Sequence, residues 1–182
     1  MRLIVGDQNC IDADRYASIF YEILELCVMD DVDRRILTEI QLDVRTPISK
    51  LSEKANASTA SVQRRLKRLR DDDIVKSEVA VVDPEAVGYE VTAVISVDLE
   101  RDRMDEVDAF KRRAKAEPQV QHCYCVAGGA DYILIVIAKN MKDYEAFTHR
   151  FFFNDSNVRR FQTSIVVSRV KTTTFVPLLP LD

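Results

Sequence analysis

Apolar side chains in the first 75 residues recur at helical spacing, with polar ones between them. In residues 12–28, DADRYASIFYEILELCV, Tyr16, Ile19, Phe20, Ile23, Leu24 and Cys27 form one stripe behind an acidic start, which predicts a short amphipathic helix. A second helix is expected from Asp31 to about Leu42, with Val32, Ile36 and Ile40 on one face and Leu37 beside them. Thr46 is placed to cap a third helix that Pro47 opens, turning Ile48, Leu51 and Ala55 inward. The tight turn Ala55-Asn56-Ala57-Ser58 follows, and Asn is the side chain that best accepts a positive φ after Gly. From Ser58 to Arg70 the run STASVQRRLKRLR brings Val62, Leu66 and Leu69 to i, i+4 and i+7. Asp71-Asp72-Asp73 ends that helix, Asp73 again suiting the left-handed region, and Ile74-Val75 returns to the core. Short helices joined by so tight a turn predict a helix-turn-helix.

The period then changes. Residues 76–82, KSEVAVV, alternate as a linker strand and lead to Asp83-Pro84, a boundary signal. Beyond it, Val87–Leu99 reads as a strand, Met104–Ala116 as a helix and Val120–Ala127 as a strand. Gly128-Gly129 turns the chain into the strand Tyr132–Ala138, after which come a helix from Met141 to about Phe152 and a strand from Val158 to Val170. The class is α+β, a helix-turn-helix domain followed by a ferredoxin-like βαββαβ plait. Tyr132–Ala138 is apolar at every position, so both faces of that strand call for burial. In a single plait the helices cover one sheet face only, and the other is expected to meet the same face of a second copy.

Charge sharpens the picture of the helix after Ser58. The 182 residues carry a formal net charge of −4, which argues against a protein that coats nucleic acid indiscriminately. Residues 29–75 nevertheless carry +1, from ten basic and nine acidic side chains. Within the Ser58–Arg70 helix, Arg64, Arg68, Ser61 and Arg65 are expected on one outward arc with no acidic residue among them. Ser58 at the N-cap and Thr59 after it sit where the aligned amides of a first turn attract a phosphate. Ser58, Thr59, Ser61, Arg64, Arg65 and Arg68 are the predicted contacts to double-stranded DNA. A dimer would present two such helices to successive turns of one groove.

The segments Asp30-Asp31-Val32-Asp33-Arg34-Arg35-Ile36-Leu37, Ser58 with Val62-Gln63-Arg64-Arg65-Leu66, and Gly128-Gly129-Ala130-Asp131-Tyr132 together resemble the Lrp/AsnC, or feast/famine, family of transcription regulators. The likeness covers about residues 29–180. With the extension helix over 1–28 lying outside it, the likeness implies a DNA-binding domain over 29–75, a linker over 76–86 and an effector-binding, dimerising RAM-type domain over 87–182. It also implies dimers that assemble further, commonly to octamers, and an effector, typically an amino acid, held between plaits of neighbouring dimers. The residues that the resemblance places at that effector are Ala127, Gly128, Gly129, Asp131, Tyr132 and Thr163. Asp131 would meet an ammonium group, and amides around Gly128 and Gly129 would meet a carboxylate. This chain departs from the family where Asn56 and Asp73 replace Gly, and where Gly129 replaces the first Asp of the effector loop.

Other residues carry less chemistry. Strand alternation puts Cys123 and Cys125 on one face and His122 on the other, so the three do not converge on one ion; no metal and no cofactor are expected, and thiols buried in a dimer interface are. Cys10 and Cys27 fit no disulfide framework, and the start MRLIVGDQNC has too short an apolar run for a secretory signal, so free thiols in the cytoplasm are expected. No stretch approaches the roughly 20 apolar residues of a membrane span. Phe151-Phe152-Phe153 is expected to pack in the core rather than to stack on bases. Two other functions fit the two-domain pattern: an enzyme similar to sirohaem decarboxylases, for which only His122 and His149 are at hand, and an architectural DNA-binding protein without an effector.

Overall fold

A computed structural model of the chain describes residues 29–101, 103–153 and 157–178. The extension helix predicted over 12–28 lies outside the described residues. Two compact units form, one from residues 29–79 with 173–178, the other from 80–172.

In the first unit, α1 (Asp31–Leu42) starts at a reciprocal cap: the Asp30 carboxylate accepts the Asp33 amide at 2.9 Å, and Asp33 accepts the Asp30 amide at 3.4 Å. The helix α2 (Ile48–Ala55) begins after Pro47 without a side-chain cap, because Thr46 donates its hydroxyl back to the Asp43 carbonyl at 2.7 Å instead of capping. Asn56 ends α2 with φ 52°, as its αL tolerance predicts. Ser58 caps α3 (Thr59–Asp71) by accepting the Ser61 amide at 3.3 Å. Asp73, at φ 58°, turns the chain so that the amides of Ile74 and Val75 both donate to the Leu69 carbonyl at 3.0 Å. Ile36, Leu37, Leu51, Ala55, Val62, Leu66 and Leu69 form the core, with Ile74 and Val75 packed against it.

Two features of this unit differ from expectation. Residues 76–83 form no strand, and Val79, Val81 and Val82 are exposed: the alternation is present, but a strand needs a hydrogen-bonding neighbour. The tail after 172, expected in the second domain, packs on the first, where Gln41 accepts the Val176 amide at 2.7 Å and Leu178 lies on the helical core.

The second unit opens with a one-turn helix, Glu85–Val87, closed by Gly88 at φ 88°. That turn delays β1, which runs Val91–Leu99 rather than from Val87. Then come α4 (Met104–Ala116), β2 (Val120–Cys125), β3 (Tyr132–Ala138), α5 (Met141–Thr148) with a π turn over His149–Phe153, and β4 (Val158–Ile165), which ends five residues before Val170. The sheet order is β2-β3-β1-β4, antiparallel throughout, which is the predicted plait. Side chains from Ala93 to Leu99 and from Tyr132 to Ala138 alternate inward onto Phe110, Ala114, Phe147 and Phe151, so both helices cover one sheet face. The opposite face carries Val94, Ile133, Ile135 and Ile137, which no helix among the described residues covers and which are only partly buried. Phe151 and Phe152 are core residues as expected, whereas Phe153 is 65% exposed.

Candidate nucleic-acid interface and effector wall

With Val62, Leu66 and Leu69 buried, the 100° step of α3 points Ala60, Arg64 and Asp71 outward, with Lys67 and Arg68 to either side and Gln63 beyond Lys67, while Thr59 is exposed at the helix start. Arg64 is exposed, and among the described residues no ion pair involves it. The sequence missed Gln63 and Lys67. Lys67 pairs with Asp71 one turn on, a link between two side chains that remain 78% and 58% exposed. Measuring the arc from the centre of the buried stripe would have found both.

Arg65 and Arg68 meet carboxylates that the sequence of α3 does not reveal. The stretch of arc from Arg64 to Arg65 holds no acidic residue of α3, whose Asp71 lies beside it, but the start of α1 supplies two. Asp33 is fully buried and accepts from Arg65 Nη1 at 2.9 Å and from Arg68 Nη2, while Asp30 lies 2.7 Å from Arg65 Nη1. Its hydrogen bonds to Asp33 first, and to Asp30 second, hold the Arg65 guanidinium still more firmly protonated. Ser61 accepts from Arg65 Nε at 3.4 Å and so orients the same side chain. These groups tie α3 to α1, with Arg65 only 21% exposed. Of the predicted set, Ser58, Thr59, Arg64 and Arg68 remain exposed, Arg68 with 44% of its side chain open to solvent.

The second candidate site is the loop between β2 and β3. Its base is pinned: the Val126 amide donates to the Asp131 carbonyl at 3.0 Å, the Asp131 amide to the Val97 carbonyl at 3.0 Å, and Asp131 Oδ2 accepts the Leu99 amide at 2.7 Å. One oxygen of the expected ammonium partner is therefore committed to β1. Ala127, Gly128 and Gly129 stand exposed at the tip. Neither glycine has a positive φ, and a Cβ on either would meet nothing within 4 Å, so the fold of a single chain does not require glycine there.

Two predicted wall residues point elsewhere. Tyr132 is 3% exposed, with its ring 4.7 Å from that of Phe110, and burial pushes its phenol well above the usual range. Thr163 pairs with Ile95 on the helix-covered side of β4, where its hydroxyl shares a hydrogen bond with Tyr144; β1 separates it from the loop, so one chain does not bring the two together. The cysteines are also corrected. Cys123 and Cys125 pair with Leu134 and Tyr132 on the helix-covered side, not on the open face suited to a partner sheet. His122 and Tyr124 stack on the opposite side with centroids 5.8 Å apart.

Among the described residues no helix is long and apolar enough to cross a membrane. Residues 29–70 match the AsnC-type helix-turn-helix domain and residues 92–176 the Lrp/AsnC ligand binding domain. An HTH-type transcriptional regulator of Sinorhizobium fredii is 42% identical over 150 residues, 82% of this chain and 89% of that one. The crystal structure of a Neisseria meningitidis transcriptional regulator in complex with L-Met superposes with a TM-score of 0.78 at 30% identity, covering 83% of this chain and 97% of that one. A feast or famine regulatory protein of M. tuberculosis complexed with L-methionine gives a TM-score of 0.73 at 28% identity, over 81% and 97%. With both domains matched in order, and with a capped basic helix exposed on the first, this chain belongs to the Lrp/AsnC family of DNA-binding transcriptional regulators.

Proposed function

We propose that the chain recognises DNA by sequence through the outward face of α3, with Arg64 at its centre, Lys67 and Arg68 to either side, Gln63 beyond Lys67, and the Ser58-capped first turn, with Thr59, on a phosphate. The observation that carries this reading is Arg64 itself: exposed, free of ion pairs among the described residues, and directly opposite the buried stripe. The Asp33 network serves the reading indirectly by fixing the angle at which that face is presented. We read the chain as a cytoplasmic regulator and not an enzyme: His149 packs on Phe153 in the π turn and His122 on Tyr124 of the open sheet face, so the pair offers no shared pocket.

The working form is a dimer through the open sheet face, where Ile133, Ile135 and Ile137 present a row of apolar side chains. Dimers assemble further, as far as an octamer, and an amino acid binds between them against the loop 126–131. Asp131 Oδ1 meets its ammonium group and amides near Gly128 and Gly129 meet its carboxylate. Support comes from the exposed glycine backbone and from the two relatives solved with L-methionine. Thr163 enters such a pocket only from another subunit.

Selection from a random DNA library, followed by anisotropy titration, tests the DNA reading. The expected result is an enriched site with two halves about one helical turn apart. No enrichment, or enrichment unchanged in Arg64→Ala, would refute it. For the effector, thermal shift across the amino acids should give a ligand whose effect Asp131→Ala abolishes. An Ile135→Asp variant that still dimerises in light scattering would exclude the proposed interface.

A further inference from the structure

Beneath α4 the sheet holds a hollow of about 200 Å³ lined by Lys111, Lys115, Cys123, Cys125 and Tyr132. We propose that it is a binding site for one soft, two-coordinate cation of the Cu(I) class, held by the Sγ atoms of Cys123 and Cys125. The pairing of β2 with β3 is regular from His122 to Cys125, so the two thiols project side by side from one face of an edge strand.

Same-face neighbours on a strand stand about 6.7 Å apart at their roots. That is long for a disulfide, whose Cα atoms are usually about 5.5–6 Å apart, so direct oxidation of the pair is disfavoured. A linear S–metal–S unit, with bonds of about 2.3 Å, spans about 4.6 Å, which two parallel side chains reach by leaning together. Thiolates select soft ions such as Cu(I). Among the described residues no group of three potential ligands gathers, and His122 faces the other way, so the four ligands of a tetrahedral zinc site are not assembled here.

Binding is a simple exchange. Two thiols release two protons to solvent, two S–Cu bonds form, and no electron is transferred. The product carries one net negative charge, and the two lysines, one turn apart on α4, line the same hollow and offset it. Cys123 stands half-buried against the core and Cys125 is exposed, so the ion would be held from the core side and reached from solvent. Cys125 directly precedes the loop 126–131, so a bound ion would stiffen the strand end from which that loop departs.

The experiment is anaerobic titration of the full chain with Cu(I) against a chromophoric Cu(I) chelator, in a Cys10→Ser/Cys27→Ser background that removes the other thiols. The expected result is one equivalent retained per chain, lost on adding either Cys125→Ser or Cys123→Ala. Because Cys125 is exposed, Cys125→Ser leaves the core intact, and an unchanged melting temperature without metal checks this. No retained copper in the background protein, or retention that survives Cys125→Ser, would overturn the site.

Discussion

Replacing Asp33 with Ala tests whether the helix-turn-helix is held by its buried ion network or only by its apolar core. The carboxylate is fully buried and accepts from Arg65 and Arg68, and the substitution removes both charge-assisted bonds along with half of the reciprocal cap. Each such bond contributes about 1.5–3 kcal/mol, and breaking a fully buried pair costs about 3–5 kcal/mol. The arginines stranded here are 21% and 44% exposed and can turn to water, which reduces the loss to about 2–3 kcal/mol. In a unit this small that corresponds to a fall of about 10–20 °C in melting temperature. Asp33→Asn keeps the shape and an acceptor oxygen and should lose about 1 kcal/mol. Asp31→Ala is the control, since Asp31 meets Arg34 on the surface, and should change stability by less than about 0.5 kcal/mol. Circular dichroism melts, with hydrogen exchange at α3 amides to localise the effect, give the answer. A loss of under about 0.5 kcal/mol for Asp33→Ala would mean that the network is worth no more than a surface ion pair and that the apolar core alone holds the unit.

Arg64→Ala should weaken binding to the selected DNA by about 1–3 kcal/mol at unchanged melting temperature, whereas Arg65→Ala should lower the melting temperature as well, and paired melts and titrations separate the two roles. Asn56→Ala should destabilise the first unit by about 1 kcal/mol in chemical denaturation, because alanine is strained at φ 52°, while Asn56→Gly should be nearly neutral. The hydrogen bond from the Asp33 amide, and then Arg65, hold the Asp30 carboxyl below its ordinary value of 3.8. The stability it contributes is therefore fully present above that pH and is lost as pH falls through the lower folded value. Acid-limb melts of Asp30→Asn should show a shallower decline, and an identical acid limb would remove Asp30 from this account.

The order of elements, the two domains and the residues facing each core were legible in the chain, because they follow from local periodicity and backbone stereochemistry. Val62, Leu66 and Leu69 repeat at helical spacing, Tyr132–Ala138 is apolar throughout, and Asn56 and Asp73 occupy turns that demand a positive φ. The fate of individual polar side chains was decided by packing between segments distant in sequence. Asp33 lies 32 residues before Arg65, and only the crossing of α1 and α3 turns part of an apparently free basic arc into an internal ion network. The register of β1 against β3 and β4 likewise assigned Asp131 to the Leu99 amide, Tyr132 to the core and Thr163 to Tyr144. Periodicity states which way a residue faces along its own element; which group it meets there depends on where the other elements lie, and that is a property of the tertiary structure alone.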